Sequence, residues 1–373
     1  MRKTMMKRTI FAAAAVTAVA LSLTACGGSS SPAASAGAAG SSGASGPMPT
    51  VKMMIGGIDK QIYLPYKLAE QLGYYKEQGV DMQLSTEQDG GVGAEDAMVS
   101  GQVDMSGAWY NHTYDFQLEG KDVISVVQLS GAPGERIMCS PKANVHSPAD
   151  IKGKNMGVTD LGSGTDTLTQ FIASKAGLKS GKDYKTVKAG AGATAIAAIK
   201  NGLADCVMTT QPTVAAMESQ GVAESAIDLA TTDGANKTVG GNWPAASIIA
   251  KKEWVDANKD TVQKVVNALV KTMHWINTHS AQEIADKLPS DYTTNKNVTK
   301  ADYVKALTAD KGQFLPDGLM PAGGPKTIAD MFTTLGKDIS KIKYTDTFDN
   351  SFATKANQTL GEKTTTTPAG DNG

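Results

Sequence analysis

An α/β fold with mostly parallel sheets, in a chain long enough for two domains, is what this 373-residue sequence predicts. Three observations carry that expectation. Short apolar runs alternate with amphipathic segments, the pattern of strand–helix–strand units. Glycines recur just after the amphipathic segments, where helix ends favour a left-handed residue. Once two low-complexity ends are set aside, about 310 residues remain, too many for one small core.

The ends come first. The opening eight residues carry Arg2, Lys3, Lys7 and Arg8 and no acid, and an apolar run follows over 10–23. Then comes Leu23-Thr24-Ala25-Cys26-Gly27. A basic start, a short apolar stretch and a small-residue site form an export signal. The run is shorter than the roughly 20 residues a membrane span needs. Its details resemble a bacterial lipobox, in which Cys26 is acylated and becomes the first mature residue. Residues 26–50 are Gly-, Ser- and Ala-rich and read as a flexible tether, and 361–373 read as a flexible tail.

Between the ends, the elements run as follows. Residues 51–55 read as a strand, and 64–72 as a helix with Leu64, Leu68, Ala69 and Leu72 at helical spacing before Gly73. A strand is expected over 80–85, a helix over 94–99 closed by Gly101, and strands over 103–108 and 123–129. The second stretch repeats the logic. Strands are expected over 136–140 and 155–158, a helix over 165–176 and a strand over 186–189. A helix over 193–200 closed by Gly202 leads into a strand over 205–208. A polar loop then precedes a strand over 246–250. From 253 onward the pattern is helical, with 261–277 the longest run.

A weak internal repeat accompanies this order. Ala97-x-x-x-Gly101-x-Val103-Asp104-Met105 matches Ala198-x-x-x-Gly202-x-Ala204-Asp205-Cys206. Each copy is a helix end, a glycine, and a strand opened by Asp. Each strand runs into a loop, and ligands of α/β sheets bind outside the carboxyl ends of strands. The repeat therefore suggests two similar lobes facing one cleft.

Composition narrows the function. The formal charge is −1 for the whole chain, and more negative without the leader's four cations. No polybasic patch points to nucleic acid. Beyond the leader the single arginine is Arg136, among more than thirty lysines. Cys139 and Cys206 sit in apolar strand-like runs and read as two buried thiols. An exported chain would permit a bridge, but sequence does not reveal proximity. No CxxC or His-x-x-x-His spacing occurs, so neither a metal nor a cofactor is called for.

Taken in order, several stretches resemble one family. They are Gly73-Tyr74-Tyr75-Lys76-Glu77-Gln78-Gly79-Val80-Asp81, residues 97–104, Ser147-Pro148-Ala149-Asp150-Ile151-Lys152-Gly153-Lys154, residues 157–164, residues 198–205 with Gln211-Pro212, and Lys251-Lys252-Glu253-Trp254. The chain is similar to solute-binding proteins of ABC importers in the nitrate/sulfonate/taurine and thiamine-pyrimidine (NMT1/THI5-like) group. The resemblance implies a two-lobed periplasmic-binding-protein fold of type II: two mixed, mostly parallel sheets with helices, hinged on two crossing strands. We place the crossings near 135–141 and 243–251. Lobe one is then 51–136 plus 247–360, and lobe two 137–246. The implied function is capture of a small organic anion, such as a sulfonate, a taurine-like compound or an aromatic carboxylate, for delivery by a monomer to a membrane permease. Rivals are a binder of the thiamine pyrimidine, a sensing module for a membrane receptor, and a pyrimidine-synthase-like enzyme. The cysteine-rich motif of that enzyme is missing here.

Cleft-facing residues follow from the strand ends. Gly162, Ser163, Gly164 and Thr165 join a strand to a helix. They offer close backbone approach, hydroxyls and a helix N-terminus, or they simply cap the helix. Trp109, Tyr110, Asn111 and His112 follow the first repeat strand. One of the two aromatics is expected to pack inside the lobe. Lys60, Gln61 and Tyr63 form a third loop and Asp89 belongs to a fourth, while Gln211 and Trp243 complete the set. Arg136 either grips a ligand's acid group with its planar fork or pairs with a nearby acid.

Overall fold

A computed structural model describes residues 47–87 and 91–370. The expected leader, Cys26, most of the tether and Asp89 lie outside the described residues. The strands are β1 (Thr50–Ile55), β2 (Asp81–Thr86), β3 (Met105–Trp109), β4 (Val123–Gln128), β5 (Glu135–Cys139), β6 (Asn155–Val158), β7 (Lys185–Lys188), β8 (Cys206–Thr210), β9 (Glu224–Leu229) and β10 (Ala246–Lys251). They form two five-stranded sheets with orders β2-β1-β3-β10-β4 and β7-β6-β8-β5-β9. Each is mixed. In the first, β1 runs parallel to β2 and β3, and β10 antiparallel to β3 and β4. In the second, β6 runs parallel to β7 and β8, and β5 antiparallel to β8 and β9.

Central strands are apolar on both faces because helices cover both faces. Thus every residue of β3, β5 and β8 is buried, whereas the edge strand β2 is half-exposed. The helix Lys259–Thr278 buries Val262, Val265, Val266, Leu269, Val270, Met273 and Ile276, a stripe at the helical period. It packs on the helices Leu64–Gln71, Tyr74–Glu77 and Ser351–Leu360.

The internal repeat is reproduced down to single hydrogen bonds. Gly101 and Gly202 have φ of +80° and +72°, values at which a side chain would be strained. The Asp104 and Asp205 carboxylates accept from the backbone N–H of Lys52 and Asn155, both at 2.8 Å. Their own N–H groups donate to the carbonyls of Lys52 and Asn155, both at 2.9 Å. Each Asp therefore staples the start of one parallel strand to the next.

The chain passes between the sheets twice, after β4 and before β10. These passages lie side by side: Leu129 N–H donates to Ala246 O at 2.8 Å, and Trp243 N–H to Gly131 O at 3.1 Å. A third segment joins them, with Gly131 N–H on Gln313 O at 3.0 Å and Leu315 N–H on Leu129 O at 2.9 Å.

Three expectations are corrected. The stretch read as a polar loop before β10 holds the helix Thr213–Ser219, strand β9 and the helix Thr232–Val239. Strand β9 is an edge whose buried residues are only Ile227 and Leu229, so its apolar signal is faint. Cys139 and Cys206 are joined by a disulfide and are not free thiols. They stand directly opposite on neighbouring antiparallel strands, a register that sequence does not display. The tail is docked as far as Ala369. The N–H groups of Thr365 and Thr366 both donate to the buried Asp317 carboxylate at 2.8 Å, and Ala369 N–H donates to Met320 O. A buried acid anchors it, and composition alone is blind to such an anchor. Among the described residues no helix is long and apolar enough to cross a membrane.

Candidate functional site

Strand ends from both sheets converge on one small pocket. From the first sheet's side come Lys60, Ile62 and Tyr63 after β1, Gly91 before the helix Val92–Val99, Trp109 at the end of β3, and His112. From the second come Glu135, the first residue of β5, Thr159 after β6, and Gly164 and Thr165 at the start of the helix Gly164–Lys175. The sheets are shut on each other here. A methyl group on Gly164 would lie 2.4 Å from Trp109 Cε3, so only glycine lets the indole rest on this helix start. Gln61 N–H donates to Gln211 O across the cleft at 3.0 Å. The cavity that remains is about 10 Å³, room for about one water.

Lys60, Glu135 and His112 bring ionisable groups to the lining. The Lys60 chain folds back over Gly57, whose φ is +100°, and its Nζ donates to Gly56 O at 2.8 Å. Burial lowers its pKa, opposed by the carboxylates of Glu135, Asp59 and Glu87. Glu135 is 4% exposed. Burial pushes its carboxyl up to about 8, with Lys60 and Arg136 only partly offsetting. His112 Nδ1 sits 3.5 Å from Glu95 Oε2 and 3.3 Å from Asp115 Oδ2. Burial alone would lower the His112 pKa, but these two acids outweigh it and raise it to about 8. Burial likewise lifts Glu95 to about 8 against the pull of His112.

The second sheet contributes hydroxyls and a helix start. Ser163 caps the helix, its Oγ accepting from Asp166 N–H. Thr165 Oγ1 lies within 2.9 Å of Thr159 N and Thr159 Oγ1 and 2.8 Å of Ser163 Oγ. Beyond the capped Asp166 N–H, the first-turn N–H groups of Gly164 and Thr165 have no partner inside the helix and suit an anion.

Of the residues expected at the cleft, Lys60, Tyr63, Trp109, His112, Gly164 and Thr165 line this pocket. Others do not, for physical reasons. Arg136 is an ion-pair residue: its fork binds Asp310 at 2.7 Å through both terminal nitrogens, and its Nε reaches Asp228 at 3.1 Å. Tyr110 is fully buried edge-on to Tyr114, with its hydroxyl on Thr347. Trp243 is fully buried against Phe171, ring centroids 5.8 Å apart. Gln61 donates its side-chain amide to Tyr303 O. Gln211 caps the next helix by accepting from Ala215 N–H. Ser163 is engaged as a cap, and Gly162 is exposed on the turn outside. Asn111 is buried outside the lining, with neither amide atom hydrogen-bonded. The pocket residues that sequence reading did not single out are Ile62, Gly91, Glu135 and Thr159, with Glu95 behind His112. An acid opening a short strand beside the lone arginine was the available signal for Glu135. Among the described residues no cluster of three or more His, Cys, Asp or Glu is arranged to hold a metal.

Comparison with known proteins agrees on one group. The family model described as NMT1/THI5 like matches residues 62–283. A solved structure from Bordetella bronchiseptica RB50 is 30% identical, with a TM-score of 0.77 over 84% of this chain and 98% of that one. The periplasmic nitrate-binding protein NrtA from Synechocystis PCC 6803 shares the fold, with a TM-score of 0.65 at 14% identity over 84% of this chain and 89% of its own. Among curated proteins, YtlA of Bacillus subtilis (strain 168), named only provisionally as a binding protein, is 22% identical over 62% of this chain and 67% of its own length.

Proposed function

Since the chain belongs to the NMT1/THI5-like family, we propose that it is the solute-binding component of an ABC importer, one that captures a small organic anion between its two sheets and hands it to a membrane permease. The observation that carries this reading is the pocket itself. It lies where strand ends of both sheets meet, it is sealed by Trp109 on Gly164, and it presents Lys60 and a helix N-terminus. Positive groups at a desolvated site favour an acid group such as a sulfonate or carboxylate. With room for about one water, the pocket admits such a solute only if the sheets part. The two adjacent passages of chain are the natural hinge, since a few residues there can absorb the motion.

A second reading, a planar heterocycle such as the thiamine pyrimidine, draws support from Trp109 and Tyr63, aromatic residues that line the same pocket. Export and acylation of Cys26 belong to the same proposal and rest on the leader sequence. A lipid there would hold the binder at high effective concentration near its permease.

Thermal-shift screening of sulfonates, taurine, nitrate, aromatic acids and the thiamine pyrimidine tests the reading. A ligand at 100 times its Kd adds about 2.7 kcal/mol of stability. One organic anion should raise Tm clearly. A shift with the pyrimidine alone would move the conclusion to the second reading, and no shift from any compound would refute both.

A further inference from the structure

Glu135 is buried, lines the pocket, and leaves its Oε2 without a hydrogen-bond partner. A buried carboxylate oxygen in that condition is costly unless something supplies a donor. The nearby donors make no hydrogen bond to this oxygen. The Lys60 ammonium gives one N–H to the Gly56 carbonyl and keeps its others for the solute's acid group. Arg136, though adjacent in sequence, spends its fork on Asp310 and its Nε on Asp228. His112 faces Glu95 and Asp115. The other raised acid, Glu95, stands behind His112 and does not line the pocket. Glu135 is thus the acid that a bound solute meets.

We infer that the solute carries a cationic N–H group beside its acid group, and that Glu135 receives it. The ligand class is then zwitterionic, with an amino group a short span from a sulfonate or carboxylate. The inference rests on the solute-binding reading above and sharpens its ligand. It also supplies discrimination. A plain oxyanion supplies no cation to the carboxyl, and ionising Glu135 beside it would bring like charges together in a desolvated site, which is strongly disfavoured. The raised pKa of Glu135 has the same root, since burial acts on a carboxyl whose cationic neighbours only partly offset it. A docked ammonium would favour the ionised form.

Calorimetric titration with two matched pairs of probes tests this. The first pair is taurine and ethanesulfonate, alike except for the ammonium. The second is 4-amino-2-methylpyrimidine and 2-methylpyrimidine, alike except for the amino group. Taurine should bind about 10-fold to 100-fold more tightly than ethanesulfonate, the range for a hydrogen bond to a charged group. Glu135→Gln should erase that preference while leaving ethanesulfonate binding equal or stronger. If neither sulfonate binds but the aminopyrimidine exceeds its partner and loses this advantage in Glu135→Gln, the anion reading and the zwitterionic ligand class are both overturned, and only a contact between Glu135 and an N–H group survives. If neither N–H-bearing probe exceeds its counterpart on the unmodified protein, the inference is overturned, a comparison that holds even if the variant fails to fold. It is also overturned if the preference survives in Glu135→Gln.

Discussion

In the first sheet the segment from Ala97 to Trp109, and in the second that from Ala198 to Thr210, make the same backbone and Asp-carboxylate hydrogen bonds. Even the antiparallel partners correspond. Ala246 and Ser247 of β10 stand opposite Trp109 and Ala108, just as Glu135 and Arg136 of β5 stand opposite Thr210 and Thr209. At these matched positions the chemistry diverges. One half sets a large ring opposite alanine, and the other a small hydroxyl opposite glutamate. One half puts an uncharged serine beside the passage, and the other the lone arginine of the folded region. The scaffold is duplicated, whereas the groups that could recognise a solute lie at strand ends and loops, where side chains change without disturbing the sheets.

The divergence can be broken at its strongest point first. Arg136→Ala strands the buried Asp310 carboxylate and should cost about 3–5 kcal/mol of stability. Its counterpart, Ser247→Ala, removes a long 3.4 Å hydroxyl contact and should cost less than about 1 kcal/mol. Denaturant unfolding measures both, and equal losses would contradict the asymmetry.

The second contrast concerns Glu135 against its counterpart Ala246. The folded-state pKa of Glu135 lies near 8 against an ordinary 4.5, because burial disfavours the charged carboxylate. The folded protein therefore holds a proton that the unfolded chain releases, and this burial penalty grows as pH rises from about 4.5 through 8. Glu135→Gln should make the empty protein more stable at pH 9, by on the order of 1–2 kcal/mol, and change it little at pH 4. Glu95 titrates in the same sense, so the parent's decline is reduced and not abolished. Thermal unfolding across pH decides it. A variant no more stable than its parent at pH 9 would mean Glu135 already has a sufficient partner.

The smallest test addresses the likeness. Asp104→Ala and Asp205→Ala each remove one carboxylate staple and should each cost about 1–2 kcal/mol, equal within about 0.5 kcal/mol. Markedly unequal losses would mean that the duplicated hydrogen bonds bear unequal load.

Most of this fold was legible because strands buried on both faces announce themselves as apolar runs, and glycines such as Gly101 and Gly202 mark helix ends. The duplicated Asp was visible as well. Strand β9 was not, since an edge strand needs few apolar residues. The disulfide and the Arg136–Asp310 pair depend on cross-strand register and on a partner 174 residues away, neither of which local pattern records. At the site, the loops after strands were legible as loops. Which side chain of a loop turns inward was not. Trp109 lies on the pocket and Tyr110 inside the lobe, a difference set by one residue of strand phase. Glu135 was passed over because it was read as part of a hinge, whereas it opens β5.

The central claim is that one pocket, built from both sheets, holds the solute. It is tested most directly by a crystal structure of the protein with its tightest-binding screened compound. The expected density lies between the sheets, with an acid group at Lys60 and the start of the helix Gly164–Lys175, and an N–H group on Glu135. Density outside the cleft, or within it but touching residues of one sheet alone, would contradict the account.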